Sequence, residues 1–464
     1  MKSTLNLRLG ALALVAVSLA GCGTSDELPT TPNYSDAADL AGLQAYTAIG
    51  NSLTAGYQSG AWGNPEHVAA SYPNLIARQL GIADFKQVSM VGTGLGFSGG
   101  APVGNMVVNI GATGPVLSYT TVDMANVAAL QAGAAADFDF TAPRNFGIPG
   151  ITLMHAAGAP LDAYYANGLG NPYANFYRNA SSGSKTQVQL AAESGASFIT
   201  CWLGNNDVLG FVTSGGTGSL TPSATFQATL SGTLGALGTA PYLAVMNIPS
   251  VTDIPFVTYF NPVLNAKLTA LGYPHAVYAM DNELGHAVPI FTDAGTNNYI
   301  LLPAATAMTL DPTLGSSPAN PLPDALVLDA AELAVAQAAV EDFNQQLADG
   351  VAALNAADRA HDVLLVDMNS FFTHIVAHGY SAYGETFTTQ FVSGGIFSLD
   401  GVHPTSLGYA IVANQILANL NEHWGLNVEP VDLAEFIGVN NGLGSIDQPL
   451  QWPDFGSVVE LFQH

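Results

Sequence analysis

The chain has 464 residues, enough for one large core or for roughly two or three domains of ordinary size. Hydrophobic residues make up 48% and charged residues only 9%, so the chain can bury a core, and its surface must be built mainly from Ser, Thr, Asn, Gln and Gly. With 9 Lys+Arg against 35 Asp+Glu, a net charge of −26, it lacks the clustered cations that nucleic acid or an anionic lipid surface demands.

Lys2 and Arg8 precede the apolar run from Leu9 to Ala20, the pattern of an export signal that is too short to span a bilayer. It ends in Leu19-Ala20-Gly21-Cys22, which resembles the lipobox of bacterial lipoproteins. That resemblance implies cleavage after residue 21 and lipidation of Cys22. The mature protein would then be exported and anchored to a bacterial cell membrane, at the outer membrane or cell surface. Residues 22–36, with several Ser, Thr and Pro, read as a tether.

The main domain is expected over 37–427. Apolar strand candidates are 44–49, 197–203, 242–247 and 363–367. Helices are expected over 66–80, about 330–356 and 406–421. The second opens with Asp329 and Glu332 spaced as a capping box, and carries Val340, Phe343, Leu347, Val351 and Leu354 on one stripe. This alternation points to α/β architecture. Three Gly/Ala/Thr/Pro-rich stretches, 87–143, 210–236 and 283–325, read as insertions packed over one domain. Residues 428–464 read as a C-terminal extension. With Cys22 lipidated, Cys201 is the remaining thiol; it lies in an apolar strand, where a small buried hydrophobe is the expected role.

Two glycine motifs mislead. Gly94-Leu95-Gly96-Phe97-Ser98-Gly99 fits a dinucleotide fingerprint, and Gly96-Phe97-Ser98-Gly99-Gly100 fits a nucleophile elbow. Neither is followed by a helix pattern; Ala101-Pro102-Val103-Gly104 comes next. The ten histidines are scattered, and the only i, i+4 pair, His374 and His378, lacks further ligand spacing, so no metal and no cofactor is called for.

Four stretches make joint chemical sense: Gly50-Asn51-Ser52-Leu53, Asn145 to Thr152, Gly204-Asn205-Asn206-Asp207 and Asp400-Gly401-Val402-His403-Pro404. Serine is a favoured helix cap, but its hydroxyl is also a nucleophile once a base removes its proton. His403 can be that base. Asp400, three residues earlier, can hold the imidazole tautomer and stabilise its charged form. The oxyanion of an acyl-transfer intermediate needs donors, and the N–H groups of Ser52 and Gly150 and the Asn206 amide can supply three. Ser52 and Asn206 both follow strands, where parallel sheets gather their site residues. Asp207 reads as structural, bonding to backbone at its turn.

This combination resembles the SGNH hydrolases, the GDSL esterase/lipase family, whose Ser, Gly, Asn and His come from four blocks in this chain order. The matches are Ser52, Gly150, Asn206 and His403, with Asp400 completing the triad. The resemblance implies a three-layer α/β/α sandwich with a mostly parallel central sheet. It also implies hydrolysis of lipid, acyl or acetyl esters through an acyl-enzyme. The first block departs from the family by reading Gly-Asn-Ser-Leu where the pattern has Gly-Asp-Ser-Leu. Gly147 competes with Gly150 for its role; Gly150 is favoured because Asn145 precedes it by five residues and Thr152 follows by two, as in the family pattern. Other readings of the same residues are a glycan O-deacetylase, an acyltransferase, and a non-catalytic surface lipoprotein on a hydrolase fold. The apolar insertions are candidates for a lid or an acyl-binding wall.

Overall fold

Five parallel strands form the centre of the computed structural model: β1 (Tyr46–Gly50), β2 (Arg144–Asn145), β3 (Phe198–Trp202), β4 (Tyr242–Met246) and β5 (Leu364–Val366). Their order across the sheet is β5-β4-β3-β1-β2. The structure describes residues 34–35, 40–111, 114–166, 171–271, 276–357 and 359–438. The expected signal segment 1–21, Cys22, nearly all of the tether and residues 439–464 lie outside them.

β1 and β3 are buried at every position, as a sheet covered on both faces requires. Helices α1 (Ser52–Ala55), α2 (Tyr72–Gln79), α3 (Leu153–Gly158), α4 (Gln187–Ala192), α5 (Asn206–Thr213), α6 (Ser223–Leu237), α7 (Ala330–Asn355), α8 (Met368–His378) and α9 (Ser406–Trp424) connect or cover the strands. α2 and α9 pack together, reaching the sheet through Tyr72 against Trp202 and Trp424 against Phe198. α3, α4, α6 and α7 pack with one another, with Phe226 of α6 stacked on Phe343 of α7 at 3.9 Å. The architecture is therefore α/β with a parallel central sheet, as the sequence indicates.

Local chemistry sets the element ends. α7 opens on the Asp329–Glu332 capping box and buries Val340, Phe343, Leu347 and Val351. α9 runs three residues beyond its expected end and stops at Gly425, whose φ of +65° suits a residue without Cβ. The helix expected over 66–80 is two pieces, Pro65–Ala69 and Tyr72–Gln79. The break falls at Ser71, whose ψ of 142° is extended, and Pro73, in the first turn of the second piece, has no N–H to donate back into the first.

Two expectations are corrected. Residues 210–236 are not an insertion: they hold the end of α5 and most of α6, the crossover between the adjacent parallel strands β3 and β4. Residues 428–437 are not separate from the domain, since Val428, Val431 and Leu433 join its main core. The strands of the other two stretches lie outside the central sheet, in separate two-stranded sheets. Within 87–143 lie two hairpins, Gly96–Ser98 with Ala101–Val103 and Met106–Gly111 with Gly114–Tyr119. Within and around 283–325, the hairpin Ala276–Asp281 with His286–Phe291 and the helix Pro303–Leu310 share a second small core with Phe260 and Leu264. The glycine-rich motif at 94–100 is the first of these hairpins. Gly99 and Gly100, both at positive φ, make its turn.

Candidate active site

The buried strand β1 ends at Gly50, where a Cβ would stand 2.6 Å from the Trp202 carbonyl oxygen, so only glycine lets β1 and β3 close together here. The chain then turns into α1. Asn51, not Ser52, caps that helix: its side-chain oxygen accepts the Leu53 N–H at 3.0 Å. Asparagine caps about as well as aspartate, so Asn51 keeps the acceptor at this position. Ser52 is the first helical residue, 6% exposed, and its hydroxyl is left out of the capping network. At the first helical position its N–H has no intrahelical acceptor.

The second stretch runs beside β1. The Phe146 and Ile148 N–H groups donate to the Ala48 and Gly50 carbonyls, which carries the chain on to Gly150 next to Ser52. Gly147 and Gly150 have different environments. The Gly147 N–H donates to Asn145 Oδ1 at 2.8 Å, and a Cβ there would lie 2.7 Å from the Ala55 Cα. Gly147 is therefore a packing glycine whose donor is already used. Gly150 sits at φ +79° on the wall of an open cleft, and its N–H meets no acceptor among the described residues.

Asn206 opens α5 directly after β3. Its Nδ2 donates one hydrogen to the Ile151 carbonyl at 2.9 Å, which fixes the amide plane and leaves its second hydrogen for the cleft. Asp207 joins the same two stretches more firmly. Its carboxylate accepts the Leu153 N–H at 2.7 Å and the Thr221 hydroxyl at 2.8 Å. Burial pushes its pKa up to about 6, against the pull of those hydrogen bonds.

His403 and Asp400 come from a tight loop before α9. The Ser398 N–H donates to the His403 carbonyl, and Gly401 at φ +70° makes the turn. His403 Nδ1 and Asp400 Oδ2 are 3.0 Å apart, with both side chains 13% exposed. Asp400 also accepts the N–H groups of Gly60, Val402 and His403 and the Ser398 hydroxyl, at 2.8–3.2 Å. Burial alone would raise its pKa. The His403 charge and these hydrogen bonds outweigh burial and hold it down to about 2, so Asp400 is an anion at neutral pH. The Tyr57 ring packs on the imidazole, centroids 4.7 Å apart. Nearby His67 is buried, which lowers its pKa to about 4 despite the Asp400 charge; it is neutral at pH 7.

Ser52, Asn206 and His403 line two adjoining cavities at the C-terminal end of the sheet, and Gly150 joins them in the more open one. No hydrogen bond links the Ser52 hydroxyl to the His403 ring among the described residues; the two meet as neighbours on the cavity wall. All five residues singled out in the sequence are thus brought to one place. Cys201 is elsewhere, fully buried in β3, its thiol pushed up to about 12 by burial. Cys22 lies outside the described residues.

The profile of the GDSL-like Lipase/Acylhydrolase family matches residues 46–416, from the first residue of β1 well into α9. The chain belongs to the GDSL-like lipase/acylhydrolase family. It is accordingly a hydrolase of the esterase/lipase class. Comparison with curated proteins finds no match. In this family member several supporting residues carry no sequence signal. Gln187 donates its amide to both the Gly50 and Phe146 carbonyls, clamping the Ser52 and Gly150 stretches together. Asn171 donates to the Pro149 carbonyl at 2.7 Å, and the Tyr177 hydroxyl bonds the Asn145 and Gly147 carbonyls. Each is an isolated polar residue in a loop or short helix, and only the fold reveals its partner.

Proposed function

We propose that the chain is a serine esterase that cleaves carboxylic esters through Ser52, His403 and Asp400, exported and held at a membrane by a lipid on Cys22. The observation that carries this reading is the meeting of three things on one cavity wall. These are the His403–Asp400 pair, the uncommitted Ser52 hydroxyl, and the unused donors at Ser52, Gly150 and Asn206.

In this mechanism His403 Nε2 takes the Ser52 proton while Oγ attacks the ester carbonyl carbon. Asp400 keeps the other imidazole proton on Nδ1 and offsets the charge that the ring gains. The oxyanion of the tetrahedral intermediate accepts from the Ser52 and Gly150 N–H groups and from Asn206 Nδ2, each such donor worth ~10²–10³ in rate. His403 returns its proton to the leaving alcohol, and the acyl group stays on Ser52. Water, deprotonated by His403, then releases the acid.

A long-chain alkyl fluorophosphonate tests the nucleophile directly. It should add to Ser52, read by peptide mass spectrometry, in a protein that fractionates with membranes and begins at a lipidated Cys22. Label on another residue would remove the nucleophile assignment; a soluble protein with an unmodified N-terminus would remove the anchor.

The positive φ of Gly150 gives a second test. A Cβ there meets Asn171 Nδ2 at 3.3 Å, and the left-handed backbone costs a non-glycine residue ~1–2 kcal/mol. Gly150→Ala is expected to turn the loop and its N–H, lowering kcat about 10- to 100-fold with KM little changed. An unchanged kcat in the folded variant would exclude the Gly150 N–H as an oxyanion donor.

A further inference from the structure

Among the described residues, Asp400 is held as an anion without lysine or arginine. Its partners are backbone N–H groups, one hydroxyl and His403. The two carboxylate oxygens are held differently. Oδ1 accepts from the Val402 N–H, the His403 N–H and the Ser398 hydroxyl, all on its own loop. Oδ2 faces the imidazole, and its other bond comes from a segment far away in the chain, the Gly60 N–H at 2.9 Å. The neighbouring Ser59 N–H reaches the same carboxylate through one intermediary. It donates to Ser398 Oγ at 2.9 Å, and that hydroxyl donates on to Oδ1 at 3.2 Å.

Ser59 and Gly60 are the two residues of a tight turn. Gln58 and Ala61 exchange backbone hydrogen bonds across its base, at 3.1 and 3.2 Å. Both turn residues have positive φ, +51° and +76°. Glycine takes such a backbone without strain; a buried serine does not. The Ser59 hydroxyl has no partner among the described residues, so its side chain does not account for the conformation. The backbone does. Successive N–H groups in a turn of this kind converge on an anion, and here the anion is Asp400.

The turn is gripped from its other side by the two hairpins between residues 96 and 119. The Met106 N–H donates to the Ser59 carbonyl at 2.6 Å, and Trp62 and Leu95 exchange a pair of backbone bonds just after the turn. Gly96 lies so close that a Cβ on it would overlap the Gly60 carbonyl oxygen. Tyr57 donates its hydroxyl to that same oxygen at 2.7 Å and lays its ring on His403. One short stretch, residues 57–62, thus touches Asp400 and His403 on one side and the hairpins on the other.

Resting on the esterase reading above, we infer that Gly60 and Ser398 are positioning residues for the acid of the triad, and that the hairpins of residues 96–119 brace them. The hairpins fix the turn, the turn fixes the twist of the carboxylate, and the carboxylate fixes the plane of the imidazole. This role is separate from any contact that the same hairpins make with substrate.

Ser398→Ala removes the link from Ser59. It is expected to lower kcat on p-nitrophenyl butanoate about 10- to 100-fold, the worth of one hydrogen bond to a charged group, with KM within about twofold of wild type. Gly96→Ala must push the hairpin off the turn, and should lower kcat about 10-fold although it changes no residue bonded to Asp400. Counting kcat per site that a fluorophosphonate labels keeps unfolded protein out of the comparison. The second readout is the proton on His403 Nδ1 shared with Asp400, a far-downfield resonance in proton NMR that His403→Ala removes. It should shift or be lost in Ser398→Ala and in Gly96→Ala. Where Gly96→Ala does not fold, Gly60→Ala displaces the turn from within, since its φ is positive and its Cβ would stand 3.0 Å from the Tyr119 ring.

A merely structural role would lower the folded fraction while leaving kcat per labelled site and the resonance as in wild type, and that result overturns the inference. Wild-type turnover with both variants unchanged overturns the positioning and leaves the esterase reading standing. A resonance present in wild type and lost in the variants, with no ester turned over by any of them, upholds the positioning and overturns the esterase reading.

Discussion

Ser52→Ala is expected to lower kcat/KM on p-nitrophenyl butanoate by at least ~10³-fold, and by as much as ~10⁶-fold if the nucleophile and base act as one unit. The magnitude follows from what is removed. Without the hydroxyl there is no acyl-enzyme, and the oxyanion donors alone can only assist attack by water. His403→Ala should cost a similar factor, and the double variant little more than either, because each change disables the same step. Stability should hardly move. The Ser52 hydroxyl makes no hydrogen bond among the described residues, and Asn51 continues to cap α1. A change within about ±0.5 kcal/mol by urea denaturation is expected. This separation is what gives the test its force, since lost activity cannot then be put down to lost structure. Wild-type turnover in Ser52→Ala would show that the hydroxyl is not the attacking group. Strict additivity of the two losses would show that Ser52 and His403 do not share a step.

The site was legible in the sequence because its residues are held by local rules. Gly50-Asn51-Ser52 must turn sharply after a buried strand, and Asp400-Gly401-Val402-His403 closes a short loop through its own backbone bonds. Such constraints leave short, recognisable words. The four longer strands were equally visible, since a strand buried on both faces has to be apolar throughout. β2 was not visible, because two residues carry no period; it pairs only because β1 already offers an edge.

α6 was mistaken for part of an insertion for a different reason. Its Thr, Ser and Gly content reads as loop, yet Thr229, Ser231 and Thr233 satisfy their hydroxyls on carbonyls four residues back, while Phe226, Leu230, Leu234 and Leu237 form the buried stripe. The cavity beneath α8 and the start of α9, which holds Ser52 and His403 in its wall, was out of reach altogether. The segments that wall it, the ends of four strands, α8 and α9, are far apart in the chain. Their apolar residues are indistinguishable in sequence from ordinary core. The sequence offered the apolar insertions as candidates for a lid or an acyl-binding wall, or as padding over the sheet; in the structure they line a groove beside Asp400 and His403, and Phe97 and Gly100 also reach the open cleft that holds Ser52.

Asp400→Asn is expected to cost both rate and stability, with a pH signature that identifies the carboxylate. Every group bonded to the Asp400 side chain can donate to it: three backbone N–H groups, the Ser398 hydroxyl and His403 Nδ1. An asparagine can match only one of the two oxygens. If its oxygen faces Val402 and His403 N–H, its NH₂ faces Gly60 N–H and the imidazole. The ring can then pair only by accepting at Nδ1, which moves its proton to Nε2 and removes the base. A loss of ~10⁴ in kcat follows from that tautomer. The Gly60 N–H, left facing another donor, costs about 1–3 kcal/mol.

The pH dependence has a definite sign. The Asp400 pKa, about 2 in the folded chain, is below the ordinary value of ~3.9, so folding favours the ionised form. Its contribution, roughly 2–3 kcal/mol, is present above pH ~4 and is lost as pH falls toward 2. The stability gap between wild type and Asp400→Asn, measured by urea denaturation, should therefore be widest at neutral pH and narrow between about pH 4 and pH 2. A gap that stays constant across this range would mean that Asp400 contributes shape alone. The charge that this mechanism requires on the far side of His403 would then have to come from elsewhere.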